Sequence, residues 1–141
     1  MRILFDTNVL LDVLLDRPPH GAEASQLMAL VERKRIEGLL GATTVTTVHY
    51  LASKTRGAAG SRRLMQTLLS LFAVAPVDGK VLTDALALEF QDYEDAVLHE
   101  AARQAGAVGI VTRDPKGFTK AKLRVYSPGE LLGLAEAFPS P

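Results

Sequence analysis

Hydrophobic residues follow two rhythms along this chain. The run Ile3-Leu4-Phe5 is too short for a helix and stops at the polar Asp6-Thr7-Asn8, which predicts a buried strand over residues 2 to 5. Val9, Leu10, Val13 and Leu14 then recur at helical spacing, and Pro18-Pro19 ends that helix, because proline lacks the backbone donor and clashes inside a helix. Ala24, Leu27, Met28 and Val31 predict a second helix from His20 to about Arg35, with Gly38 as its exit. Leu39 to Ala42 reads as a second short strand. Thr43-Thr44 offers a cap for a helix over Val45 to Lys54, a break follows at Gly57 to Gly60, and Leu64, Leu68 and Leu71 resume the helical period.

The alternation continues to the end. Phe72 to Pro76 predicts a third strand, and Val81, Leu82, Leu86 and Leu88 a helix after the Val77-Asp78-Gly79 turn. A helix from about Tyr93 to Ala105 stops at Gly106, and the apolar Ala107 to Thr112 forms the clearest strand, closed by Arg113-Asp114-Pro115. A last strand at Arg124 to Tyr126 leads into Ser127-Pro128-Gly129-Glu130, a helix start with proline at its first position and glutamate at its third. Strands alternating with helices predict an α/β fold: three layers, α/β/α, around a mostly parallel central sheet of about five short strands. No repeat or linker interrupts the pattern, so residues 1–141 are expected to form one domain.

Composition narrows the chemistry. With 48% hydrophobic and 23% charged residues the chain has the makeup of an ordinary globular protein, and no apolar run is long enough to cross a membrane. The N-terminus lacks the apolar core of a signal peptide, and a cytoplasmic location is expected. There is no cysteine, which excludes disulfides, thiolate metal sites and cysteine nucleophiles and leaves oxygen and imidazole chemistry. Sixteen basic and sixteen acidic residues cancel, so net charge names no partner.

Carboxylates do. In a parallel α/β sheet, sites gather where strands end and helices begin. Asp6 follows the first strand and Asp114 the Ala107 to Thr112 strand, which puts both at that edge. Asp92 and Asp95 are three residues apart at a helix start, about 60° apart around the axis. The helix from Asp95 descends about 15 Å and the following strand rises about 17 Å, returning Asp114 to the height of Asp95. Like charges this close raise each other's pKa, and a hard divalent cation with oxygen ligands compensates. Mg²⁺ or Mn²⁺ held by Asp6, Asp95 and Asp114, with Asp92 assisting, would activate water and neutralise a phosphoryl oxygen, which points to phosphodiester hydrolysis. The alternative for each aspartate taken singly is a helix cap or a turn residue.

The segments "ILFDTNVLLDVLL" and "DYEDAVLHEAARQAGAVGIVTRD" resemble the PIN-domain family, metal-dependent ribonucleases that include the toxin halves of bacterial toxin-antitoxin pairs. The resemblance covers nearly the whole chain. It implies catalytic roles for Asp6, Asp95 and Asp114, an additional acidic position at Asp92, and a supporting polar role for Asn8. It also implies an RNA substrate, an antitoxin partner and a homodimer. Two positions depart from the family pattern: Thr47 stands where many relatives carry a glutamate, and Gly117 precedes Phe118 where an aspartate is frequent. Thr47 and Thr112 are expected to support the site, and Arg113, Lys116 and Lys120 to meet a phosphate backbone at the same edge. His99 is expected behind the site or at the surface, His49 partly buried on its helix, and His20 at a surface helix start. Two other classes compete. One is a PIN-like RNA- or protein-binding module with weakened catalysis, suggested by Thr47 and Gly117. The other is a phosphoacceptor receiver domain, for which the first strand would have to end in an acidic pair.

Overall fold

A computed structural model describes residues 1–137 and shows a five-stranded sheet between two layers of helices. The strands are β1 (Arg2–Phe5), β2 (Glu37–Gly41), β3 (Ala73–Ala75), β4 (Gly109–Val111) and β5 (Arg124–Tyr126). The helices are α1 (Thr7–Leu14), α2 (Gly21–Glu32), α3 (Ala42–Leu71), α4 (Gly79–Leu86), α5 (Tyr93–Gln104) and α6 (Pro128–Ala137), and a 3-10 turn covers Pro115–Phe118. The sheet order is β3-β2-β1-β4-β5, and all four pairings are parallel, so the mostly parallel expectation becomes a wholly parallel sheet.

Strand alternation sorts the core into two faces. Ile3, Phe5, Leu40 and Val111 point to the layer of α1, α2, α3 and α6, where they meet Val9, Leu10, Leu27 and Leu131. Leu4, Leu39 and Ile110 point the other way, onto Leu98 and Ala102 of α5 and onto Phe118. Both faces are apolar because a parallel sheet with crossover helices has no wet side. The order also creates a crevice. From β1 the chain builds outward through β2 and β3, then crosses to the far side of β1 to lay down β4 and β5, so the carboxyl ends of β1 and β4 flank the point where the winding reverses.

Several boundaries differ from the sequence pattern for local reasons. Helix α2 ends at Glu32, with Lys34 taking the left-handed turn at φ 59°, and Gly38 lies inside β2 rather than at a helix exit. A Cβ on Gly38 would sit 2.5 Å from the ring of Phe72, whose edge packs on Phe5 at a centroid distance of 5.1 Å. Helix α3 begins at Ala42 behind Gly41 without a side-chain cap, and only Gly57, at φ 72°, leaves the helical conformation, so the expected break shrinks to a kink. Strand β4 keeps only Gly109 to Val111 of the longer run expected, paired in register with Ile3 to Phe5 of β1, and the last β1–β4 bond is donated by Asp6 N to Val111 O. The capping box of α6 forms as read: Glu130 N donates to Ser127 Oγ at 3.1 Å and Ser127 N to Glu130 Oε1 at 2.9 Å. No helix among the described residues is long and apolar enough to cross a membrane.

Gly38→Ala should destabilise the protein by about 1–3 kcal/mol, the usual cost of forcing a methyl into a packed interior. Urea unfolding monitored by circular dichroism checks this; a midpoint equal to that of the parent would show that Phe72 moves aside freely.

Candidate functional site

Asp6 is the residue that ends β1 and caps α1. Its backbone N–H extends the β1–β4 pairing by donating to Val111 O at 3.0 Å. Its Oδ1 accepts from Thr7 N at 2.8 Å, and its Oδ2 accepts from the Thr112 hydroxyl at 2.7 Å and from Asn8 Nδ2 at 3.4 Å. Only 8% of Asp6 is exposed. Burial pushes its pKa up and the nearby Asp114 adds to that, while the bonds from Thr112 and Thr7 pull it down.

Thr112, fully buried at the end of β4, joins two of the acids: it donates to Asp6 and accepts from the backbone N–H of Asp114 at 3.0 Å. Asn8 braces the same corner, donating to Thr112 Oγ1 at 3.4 Å and accepting from Arg113 N at 3.3 Å. Asp95, in the first turn of α5, faces this corner from the other side. Its pKa is raised to about 6, first by desolvation and then by Asp6, Asp92, Glu94 and Asp114. A Cβ on Gly117 would lie 2.6 Å from Asp95 Oδ2 and 3.9 Å from Asp114 Oδ2. The space that a side chain at 117 would fill is therefore occupied by the Asp95 carboxylate, and an aspartate there would have to displace it. Asp92 caps α5 at the mouth, accepting from Glu94 N at 2.8 Å. Asp92, Asp95 and Asp114 share a cleft of about 590 Å³ with Lys116, Gly117 and Lys120, and both lysines are exposed on its wall.

Other residues fall elsewhere. Thr47 is exposed and its hydroxyl donates to Thr43 O at 3.1 Å, within its own helix. The α3 residue that reaches the site is Thr44, 1% exposed, with its Oγ1 2.8 Å from Thr7 Oγ1. Arg113 is not among the residues lining the cleft: its guanidinium holds Asp12 of α1 through Nε to Oδ2 and Nη2 to Oδ1, the latter at 3.2 Å. Arg17 Nε binds the same Asp12 Oδ1 at 3.1 Å, so a carboxylate only 1% exposed is shared by two arginines. The signal for it was present, since Asp12 stands alone among the apolar Leu10, Leu11, Val13 and Leu14. His99 is fully buried rather than at the surface, its Nε2 accepting from the backbone N–H of Lys122 at 2.9 Å and Leu123 at 3.3 Å, and burial lowers its pKa. It ties the end of the lysine-bearing loop to α5. His49 and His20 are exposed.

The donors suit a hard cation of open coordination. Among the described residues no three Asp, Glu or His side chains converge tightly enough to enclose an ion by themselves. Mg²⁺ takes one or two carboxylates and keeps several waters, which matches acids crowded enough to perturb each other but spread around a solvent-filled cleft.

The sequence matches the family model described as PIN domain over residues 2–116. Comparison with curated proteins gives no match. Among solved structures, the toxin-antitoxin complex from Klebsiella pneumoniae is 25% identical, with a TM-score of 0.70 over 89% of this chain and 97% of that chain. VapBC2 from Rickettsia felis, bound to a DNA fragment from its promoter, is 16% identical, with a TM-score of 0.69 over 90% and 98%. VapC20 from Mycobacterium tuberculosis, a sarcin-ricin loop cleaving toxin, is 14% identical, with a TM-score of 0.59 over 77% and 86%.

Two stability outcomes follow from the electrostatics. Asp95 titrates near 6 in the folded chain against 3.8 for an unperturbed aspartate, so folding favours its neutral form. Its ionisation costs nothing below pH 4, and the cost grows as pH rises to and beyond 6. Asp95→Asn should therefore match the parent at pH 4 and exceed it by about 1–2 kcal/mol at pH 7.5 in EDTA, after allowance for solvent screening; equal denaturation midpoints at both pH values would show that the carboxylate is not strained. Asp12→Ala leaves Arg113 and Arg17 without their buried partner and should cost about 2–3 kcal/mol, measured in the same way; a loss under about 0.5 kcal/mol would make the shared carboxylate incidental.

Proposed function

The chain belongs to the PIN-domain family, and from that membership we propose that it is an endoribonuclease dependent on Mg²⁺ or Mn²⁺, the toxin of a toxin-antitoxin pair, acting in the cytoplasm as a homodimer. One observation carries the reading: at the crevice where the winding of the sheet reverses, Asp6 and Asp114 are close enough to Asp95 to raise its pKa, and Asp114 is close enough to raise that of Asp6. Asp6, Asp95 and Asp114 would hold the metal, and when bound it would supply charge neutralisation at the phosphate and a water of lowered pKa.

The chain's own residues supply the rest. Thr7 N–H and the Thr112 hydroxyl hold the Asp6 carboxylate in one orientation and favour its charged form against burial. Thr112 also fixes the backbone at Asp114, so the two acids are set by one side chain. Asp95 gains most from a cation, because it carries the summed repulsion of four neighbouring acids. Asp92 stands at the cleft mouth, and Lys116 and Lys120 on its wall would meet phosphates of the substrate backbone. The toxin reading draws support from the Klebsiella pneumoniae complex and the Mycobacterium tuberculosis toxin, which share the fold.

A second reading, a PIN-fold binding module without catalysis, is favoured by the lack of any three-donor cluster among the described residues. One experiment separates them. The parent should cleave RNA in Mn²⁺ and lose at least about 100-fold in rate on Asp6→Asn, with its circular dichroism unchanged. Saturating Mn²⁺ should raise the melting temperature of the parent, since the ion binds the folded cluster, and should not raise that of Asp6→Asn. RNA binding by the parent with neither cleavage nor a thermal shift would establish the module.

A further inference from the structure

The loop that follows β4, residues 114–123, makes one wall of the acidic cleft: Asp114, Lys116, Gly117, Thr119 and Lys120 all line it. Two of its backbone bonds, Gly117 N to Asp114 O at 3.3 Å and Ala121 N to Phe118 O at 3.0 Å, close on the loop itself and tie it to nothing else. Its near end is held by Thr112, which accepts from Asp114 N, and its middle by Phe118, which is buried. The last two residues before β5 hang on one side chain of α5. His99 Nε2 accepts from Lys122 N at 2.9 Å and from Leu123 N at 3.3 Å.

Those two bonds fix the state of the imidazole. A nitrogen that accepts must keep its lone pair, so the ring is neutral and carries its proton on Nδ1. That Nδ1 is buried and has no partner among the described residues. An orphaned buried donor is costly, and an apolar side chain would fill the same space without that cost, so packing alone does not account for a histidine here. What an apolar side chain cannot do is accept from Lys122 and Leu123. The ring also meets Phe90 at a centroid distance of 5.3 Å, and Phe90 lines the cleft and packs on Phe118 at 6.0 Å. The charged groups around His99 are Glu100 and Arg103 on α5 and Lys122 on the loop. Burial, with Arg103 and Lys122 adding to it and Glu100 opposing, lowers its pKa from the ordinary 6.5, which keeps the ring neutral at pH 7.

We propose that His99 is a positioning residue for RNA cleavage: through the backbone of Lys122 and Leu123 it holds the lysine-bearing wall of the cleft against α5, and it does so only as the neutral imidazole. Protonation sets a third N–H against the two that it now accepts, so the far end of the loop is released. Lys120, two residues before the clamp, then loses its fixed place on the wall, while Asp114 stays tied to Thr112 at the other end. The effect on cleavage rests on the ribonuclease reading of the cleft; the clamp itself needs neither metal nor RNA to be observed.

Amide hydrogen exchange, followed by NMR in EDTA on the ¹⁵N-labelled full chain, tests the clamp. At pH 7.5, His99→Leu should lower the protection of the Lys122 and Leu123 amides about 10-fold or more relative to that of Leu4 in β1, and His99→Gln, whose Oε1 can take the place of Nε2, should restore it. As the pH falls to 5 the parent should lose protection at these two amides and His99→Gln should not; Asp95 is present in both, so its own titration cancels. Should His99→Leu fail to fold, this comparison of parent with His99→Gln still decides. In Mn²⁺, His99→Leu should raise the KM for RNA about 5-fold with kcat within about 2-fold, and should keep the rise in melting temperature that the metal gives the parent. Amides equally protected in His99→Leu, or protection in the parent that survives protonation of His99, would overturn the clamp. A fall in kcat at constant KM would overturn its role at the wall. Exchange that follows the clamp in a chain that cleaves no RNA would remove the nuclease reading and leave the clamp, and cleavage with amides indifferent to His99 would do the reverse.

Discussion

The contact between β1 and β4 organises everything at the acidic edge. Phe5 lies in register with Val111, Asp6 continues the pairing through its backbone N–H, and one residue later Thr112 turns its hydroxyl onto the Asp6 carboxylate. That bond joins segments more than one hundred residues apart and opposes the burial that would otherwise neutralise Asp6. The same hydroxyl accepts from Asp114 N, so the sheet register decides how far apart the two acids stand. A one-residue slip in β4 would turn Thr112 to the other face of the sheet and remove the bond altogether.

Around that contact the molecule separates its charges. The acids are held in tension in the cleft, where Asp95 carries a pKa near 6. Directly behind them the tension is absent: Asp12 is as buried as any core residue but shared between Arg17 and Arg113, and it ties the loop carrying Asp114 down to α1. Buried ion pairs of this kind cost desolvation and return it as fixed geometry. Unpaired cations stand both on the wall of the cleft, at Lys116 and Lys120, and on α3, where Lys54, Arg56, Arg62 and Arg63 have no carboxylate partner among the described residues.

The places where sequence pattern misled share a physical cause. Gly38 resembles a helix exit because glycine commonly ends helices, yet here it lies in a strand to admit the ring of Phe72, a contact visible only after both segments are packed. Thr47 reads as the α3 residue that supports the site, but its hydroxyl bonds within its own helix and Thr44, one turn earlier, is the residue turned to Thr7; which of two residues about 60° apart reaches inward is set by how α3 docks on α1. Arg113 reads as a surface cation next to Asp114, and its partner Asp12 lies about a hundred positions upstream. His99 reads as marginal because a lone histidine in a helix carries no spacing signal, and its backbone partners come from a loop.

What the sequence by itself determined was the succession of strands and helices, the apolar run that delivers Asp6 to a strand end, and the spacing that brings Asp92, Asp95 and Asp114 back to one edge. These are local properties, governed by periodicity, capping and chain reach. Only the tertiary structure decided which strands are neighbours. Nothing in the local pattern makes β1 choose β4 over β3, and that choice sets Asp6 against Thr112, fits Asp95 into the space above Gly117 and gives Asp12 its two arginines. Those partners are fixed by the packing of both sheet faces at once, which no window of sequence contains.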